Sequence, residues 1–251
     1  MAQSALITGA TSGIGKACAL LFARNGYNVI ITGRRKDRLS VLEKELKKCD
    51  VQVLSLCFDV CDRKAVFKNL ESLPKAWQSV DVLVNNAGLA LGKSPIYEGE
   101  TKDWDAMIDT NIKGLLYVTR AISPFLLKRK KGHIINIGSI AGKEVYKGGA
   151  VYNATKFAVD ALTKAMRIDY LEHNIRVTSI CPGKTETEFS LVRFKGDAQR
   201  AKTVYEGYKP LTAEDIAEAV WFAASRPEHV TINDMLIMPT AEANTVYFHH
   251  S

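Results

Sequence analysis

The sequence predicts an α/β fold: a doubly wound parallel sheet forming a single domain over residues 1–251. Three observations lead there. Seven short apolar runs recur along the 251 residues, longer helical patterns lie between them, and a glycine-rich turn joins the first run to the first helix. Runs that are apolar throughout suit strands covered on both faces, as in a parallel sheet wrapped by helices. No Pro-, Gly- or Ser-rich linker divides the chain and no internal repeat is visible, so one α/β domain is expected at this length.

Residues 5–8 make the first strand, followed by Thr8-Gly9-Ala10-Thr11-Ser12-Gly13-Ile14-Gly15 and a helix over 16–23. Glycines let a backbone turn tightly against a pyrophosphate, and the free N–H groups and dipole of a helix start favour negative charge. A dinucleotide is the expected ligand. The second strand, 28–32, ends in Gly33-Arg34-Arg35-Lys36, where an acidic residue would commonly hold a ribose hydroxyl. Guanidinium groups pair with phosphate through several donors, so Arg34, helped by Arg35, points to the 2′-phosphate of NADP.

A helix over 38–48 places Leu39, Leu42 and Leu46 on one face. The third strand, 51–57, leads to Asp59-Val60, and the fourth, 80–84, to Asn85-Asn86-Ala87-Gly88. A helix is expected over 103–119, and Lys128-Arg129-Lys130-Lys131 reads as a solvated helix end facing the negative pole of the dipole. The fifth strand, 133–137, ends in Gly138-Ser139. The helix over 151–172 then carries Tyr152 and Lys156, which a period of 3.6 stacks on one face. An ammonium beside a phenol favours the phenolate, which makes Tyr152 a proton-shuttle candidate with a lowered pKa. Ser139 could hydrogen-bond a substrate carbonyl oxygen beside it.

The sixth strand, 176–180, is followed by an irregular stretch over 183–210, either a lid that closes over a ligand or an ordinary surface excursion. The seventh strand covers 235–238. Ligands of open α/β sheets bind outside the carboxyl ends of the strands, so these strand-end segments are expected to line one crevice.

Other function classes fare less well. No apolar run reaches the roughly 20 residues of a membrane span, and residues 1–9 lack a positive leader, so no signal peptide is expected and the cytoplasm is the expected location. The formal charge of +7 is spread along the chain without a nucleic-acid motif, and no nucleic-acid partner is expected. Five cysteines without a second close pair indicate reduced thiols and no metal site.

Taken together, Thr8-Gly9-x3-Gly13-x-Gly15, Asn85-Asn86-Ala87-Gly88, Asn111, Ser139, Tyr152-x3-Lys156 and Pro182-Gly183 resemble the short-chain dehydrogenase/reductase family over almost the whole chain. The resemblance implies a Rossmann-type domain with Tyr152 as general acid/base, Lys156 lowering its pKa, Ser139 orienting substrate, and Asn111 completing a tetrad. It also implies NADP(H) contacts from the glycine loop, Asp59, Val60, Asn86, Ala87, Gly88, Pro182, Gly183, Thr185 and Thr187, and assembly as a dimer or homotetramer. Residues 85–92, 109–111 and 187–197 look like the NADP-dependent 3-hydroxy acid dehydrogenases, which oxidise L-serine, L-allo-threonine and related acids. A substrate carboxylate needs a cation, for which Arg193 ranks before Lys184. Reductases of ketones, diketones, sugars or acyl thioesters share the tetrad and are the enzyme alternative. A non-catalytic NADP sensor is opposed by the intact Ser139, Tyr152 and Lys156.

Overall fold

The computed structural model describes residues 2–249; Met1, His250 and Ser251, included in the domain expected over 1–251, lie outside them. Seven parallel strands are found: β1 (Ser4–Ile7), β2 (Asn28–Gly33), β3 (Val53–Cys57), β4 (Val82–Asn85), β5 (Gly132–Ile137), β6 (Ile175–Pro182) and β7 (Asp234–Ile237). Their order is β3-β2-β1-β4-β5-β6-β7. The chain therefore builds outward from β1 to β3 and then returns to start again at β4. The crevice at that reversal is where open α/β sheets bind ligands.

The apolar runs follow from burial on both faces. Ala5 and Ile7 pack with Phe22, Leu39 and Ile216 on one side, under α1 (Gly13–Arg24), α2 (Lys36–Leu46) and the late helix over Ala213–Ala224. Leu6, between them in sequence, faces Leu70, Ile122 and Leu126 on the other side. Side chains alternate along a strand, so only a run apolar at every position can feed two cores. Between β3 and β4 lies α3 (Arg63–Leu70).

The helix expected over 103–119 is divided. α4 (Thr101–Ile108) passes into one wider π turn over Asp109–Gly114 before α5 (Leu115–Arg129) continues. Such turns insert one residue into the hydrogen-bond ladder and often mark functional positions. α5 ends as expected at the basic cluster, but Arg129 is not simply solvated. Its Nη1 donates to Val80 O at 2.9 Å and its Nη2 pairs with Asp81 Oδ1 at 2.5 Å, which fastens the helix end to the entry of β4. The helix carrying Tyr152 is α6 (Ala150–Asp169).

The stretch after β6 is more regular than its sequence indicates. It holds α7 (Phe189–Arg193) and α8 (Ala198–Lys202), both too short to show a helical period, before the helix over Ala213–Ala224, here α9. Among the described residues no helix is long and apolar enough to cross a membrane.

Candidate active site

The glycine loop is held open by its neighbours. Gly9 and Gly13 have φ of 65° and 50°, the left-handed region that favours glycine. A Cβ on Gly15 would stand 2.4 Å from Gly9 O and from Asn86 Nδ2, so the first turn of α1 packs directly under the loop. Asn86 Nδ2 donates to Thr8 O at 2.8 Å, and Thr8 Oγ1 accepts the N–H groups of Asn86 and Ala87, both at 3.0 Å. β1 and β4 are thereby pinned together at the crevice. α1 has no acidic residue in its first turn, and its N-cap, Ser12, makes no capping bond to its backbone. Its free N–H groups suit an anionic ligand.

Beside this loop lies a cavity of about 670 Å³. Its walls include Gly9 and Thr11 to Ile14, then Arg34, Arg35, Asp59 and Val60, then Asn86, Ala87 and Gly88. Ser139, Tyr152 and Lys156 line it with Pro182, Gly183, Thr185, Thr187 and Arg193. Of the residues singled out in the sequence, Gly15 and Asn111 stand behind the walls rather than in them. The loop cradle, the open helix start and the cationic end at Arg34 and Arg35 fit a phosphorylated dinucleotide in shape and charge.

The π turn aims Asn111 inward. Its Oδ1 accepts from Leu89 N at 2.9 Å, and its Nδ2 donates to Leu89 O at 2.8 Å and Thr155 Oγ1 at 3.0 Å. The carboxamide is thus committed to holding the bend after Gly88 against α6. A Cβ on Gly88 would lie 3.2 Å from Asn111 Oδ1 and 3.8 Å from Lys156 Nζ, which places all three together.

Tyr152 and Lys156 share the inner face of α6, both nearly fully buried. Lys156 Nζ lies 5.9 Å from the Tyr152 ring centroid and donates to Ile137 O at 2.9 Å. Burial pushes the Lys156 ammonium down to about 8, opposed by the nearby Cys181 thiol. Burial likewise raises Tyr152 well above the ordinary tyrosine value, with Tyr146 adding to the rise; a hydrogen bond with Ser139 and the charge of Arg193 oppose it. The lowering of Tyr152 expected from its lysine neighbour is therefore not found, and the groups that do lower it are Ser139 and Arg193. Desolvation of the phenolate dominates, and the ammonium is turned toward the end of β5. Ser139 Oγ accepts from Ala141 N at 3.0 Å, which fixes the hydroxyl at the strand end.

Arg193, on α7, reaches the same corner. Its Nε donates to Gly92 O at 3.1 Å, and its guanidinium carbon lies 5.3 Å from the Tyr146 ring centroid and 5.7 Å from that of Tyr152. Its Nη2 is buried with no hydrogen-bond partner among the described residues. Lys184, the other cation considered, sits with Nζ 3.3 Å from the Phe248 ring centroid and 5.4 Å from that of Tyr208. Its charge is already engaged by aromatic faces.

Three participants escaped the sequence. Tyr146 and Phe189 flank Tyr152, the latter with ring centroids 5.7 Å apart, and Glu188 joins Arg35 and Arg38 at the start of α2. Glu188 and Phe189 lie in the 187–197 segment singled out above, but their roles, like that of Tyr146, emerge only from the folded path of the chain. Arg34, expected as the principal phosphate ligand, has one partner, Asp59 Oδ2 at 3.3 Å, and remains largely exposed. Arg35 is the more heavily bonded of the two, through Thr11, Ser12 and Glu188.

A family model described as short chain dehydrogenase matches residues 3–197. The NADP-dependent 3-hydroxy acid dehydrogenase YdfG of Salmonella typhi is 49% identical over 239 residues, covering 95% of each chain. Sulfoacetaldehyde reductase 2 of Chromohalobacter salexigens is 46% identical over 244 residues, 97% of this chain and 96% of that one. Among solved structures, the closed form of serine dehydrogenase complexed with NADP+ superposes with a TM-score of 0.93 at 45% identity, covering 99% of this chain and 100% of that chain.

Proposed function

The chain belongs to the short chain dehydrogenase family, and from that premise we propose that it is an NADP(H)-dependent oxidoreductase acting on the hydroxyl carbon of a 3-hydroxy acid such as L-serine, L-allo-threonine or 3-hydroxybutyrate. One observation carries the reading: Ser139, Tyr152, Lys156 and Arg193 line together the cavity that the glycine loop opens onto. The glycine loop, Arg34 and the strand-end residues would hold the dinucleotide, which when bound supplies or takes up the hydride.

The chain's own residues then divide the remaining work. Ser139 Oγ, fixed by Ala141 N, holds the substrate oxygen. Tyr152 gives that oxygen a proton in reduction; in oxidation it takes the substrate proton as its own passes on to neutral Lys156, whose pKa burial brings to about 8. Asn111 is a positioning residue that keeps the bend after Gly88 against α6. Arg193 is the cation for the substrate carboxylate, since it lines the cavity beside Tyr152 and its Nη2 has no hydrogen-bond partner among the described residues. The burial of Tyr152 and Lys156 keeps water from the proton path.

A second reading is favoured by the reductase relative of Chromohalobacter salexigens. A short aldehyde ending in a sulfonate would present the same anion to Arg193 and the same carbonyl to Ser139 and Tyr152. We further propose a cytoplasmic protein that assembles as a homotetramer; self-association is supported by exposed apolar side chains such as Phe157, Ile168 and Leu171 on and after α6.

Turnover with L-serine, L-allo-threonine, 3-hydroxybutyrate and sulfoacetaldehyde, run against simple secondary alcohols and with NADP beside NAD, tests the assignment. Activity confined to the anionic substrates is expected, with KM raised about ten- to a hundredfold by Arg193→Ala, as for loss of a charge-assisted bond. Equal activity on uncharged alcohols removes the acid substrate, and an unchanged KM in the variant removes Arg193 from its role.

A further inference from the structure

We propose that Glu188 is a clasp: by gripping Arg35 and Arg38 it holds the segment over residues 185–205 across the dinucleotide groove, and it must release before the cofactor can leave. The inference rests on the dinucleotide reading of that groove. Glu188 stands at the N-cap position of α7, where its side chain makes no capping bond. Its Oε2 accepts from Arg35 Nη1 at 2.9 Å and its Oε1 from Arg38 Nη1 at 2.6 Å, so each oxygen has its own guanidinium. Both arginines stand at the beginning of α2, where cations oppose the helix dipole and a carboxylate between them is favoured. The arginines in turn hold the Glu188 carboxyl below its usual range, Arg35 first.

Arg35 is the middle link. Its Nε and Nη2 donate to Thr11 Oγ1 at 3.1 and 2.9 Å, and Nη2 also donates to Ser12 Oγ at 2.8 Å. Thr11 and Ser12 belong to one wall of the cavity, and Thr187 and Glu188 to the wall made by the segment. The chain of bonds from Ser12 through Arg35 to Glu188 therefore joins two walls of the same groove. A second contact lies beside it: a Cβ on Gly13 would come within 3.2 Å of the Thr187 side chain, so the segment rests directly on the glycine loop.

The donors left over indicate a division of labour. Arg35 has most of its N–H groups bound within the protein, whereas Arg34 has a single partner at 3.3 Å. Arg34 is free to meet a phosphate while Arg35 serves as tether. The clasp's side chains are each about two-fifths exposed, at 38% for Arg35, 42% for Arg38 and 38% for Glu188. Ion pairs so placed are individually weak and screened by salt, which suits a contact that opens at each exchange.

The test measures NADPH release by fluorescence and amide hydrogen exchange over 185–205 in the full-length protein, for wild type, Glu188→Gln, Arg38→Gln and the double variant. Arg38 does not line the cavity, so it reports on the clasp rather than on cofactor contact. Each single variant should release NADPH about fivefold faster and exchange faster in the segment, with the double variant no worse than either single one. Added salt should bring wild type toward the variants. Unchanged release and exchange in Glu188→Gln overturn the clasp, as does a Glu188→Gln effect that Arg38→Gln fails to reproduce. If wild type does not bind NADPH, the cofactor reading fails instead. The exchange measured without nucleotide then decides the clasp alone: faster exchange in both single variants supports it, and none overturns it.

Discussion

At Tyr152 two effects compete: burial disfavours the phenolate, while the hydrogen bond with Ser139 and the charge of Arg193 favour it. Burial wins, so the phenol stays protonated across the working range, and the first proton lost from the Tyr152 and Lys156 pair belongs to Lys156, near pH 8. Oxidation needs a group able to take a proton, and reduction needs one able to give it. Oxidation is therefore expected to rise as pH increases through about 8 and reduction to fall through the same value, with Lys156→Met removing the inflection. A pH profile of kcat/KM that is flat between 7 and 9, or that survives in Lys156→Met, contradicts the assignment. Tyr152→Phe keeps the ring against Phe189 but deletes the proton. A loss of about 10²- to 10⁴-fold in kcat is expected, with NADPH affinity nearly unchanged; near-normal turnover would reject the tyrosine as acid.

Among the elements, β5 carries a titratable group far from the reacting atoms. His133 is buried, its Nε2 paired with Thr178 Oγ1 at 2.7 Å, and burial beside Arg176 depresses its pKa to about 3. The unfolded chain, with an ordinary histidine near 6.5, binds the proton first as pH falls. Stability is thus present above about pH 6.5 and lost progressively as pH drops toward 3. Melting temperature should fall over that window in wild type and fall less steeply in His133→Gln; parallel curves would show that His133 does not set the slope. The inner strands were legible because two-sided burial demands unbroken apolar runs, as at Val29-Ile30-Ile31, while the edge strands β3 and β7 are less buried. The π turn was not, since Asp109 to Gly114 keeps a helical composition while its hydrogen-bond step changes. α7 and α8 were hidden by their five-residue lengths. At the site, residues in strand-end motifs could be named in advance, whereas Tyr146, Phe189 and Glu188 depend on long-range approach. The pKa of Tyr152 was misjudged for a related reason: spacing shows the lysine, but not the depth at which both side chains lie.

Over the whole molecule, the positive balance finds a physical setting. The cavity is lined by seven cationic side chains, Arg34, Arg35, Lys93, Lys147, Lys156, Lys184 and Arg193, against the three carboxylates of Asp59, Glu188 and Glu242. That excess focuses a positive potential on the crevice, which draws in anionic ligands. The same cavity gathers residues from both halves of the sheet, from the glycine loop after β1 to the turn after β6, so a ligand filling it ties the halves together. A ligand bound only by the folded state, at 100 times its Kd, adds about 2.7 kcal/mol, or roughly 5–10 °C in Tm for a chain of this size. NADP is expected to produce such a shift and NAD a smaller one at equal concentration, because Arg34 keeps its donors available for the 2′-phosphate. In Arg34→Ala the NADP shift should shrink to that of NAD while the NAD shift stays put, corresponding to about ten- to a hundredfold in Kd. Equal shifts for the two dinucleotides in wild type would mean that the arginine pair after β2 does not read the phosphate. A loss of both shifts in the variant would mean that Arg34 supports the loop rather than the ligand.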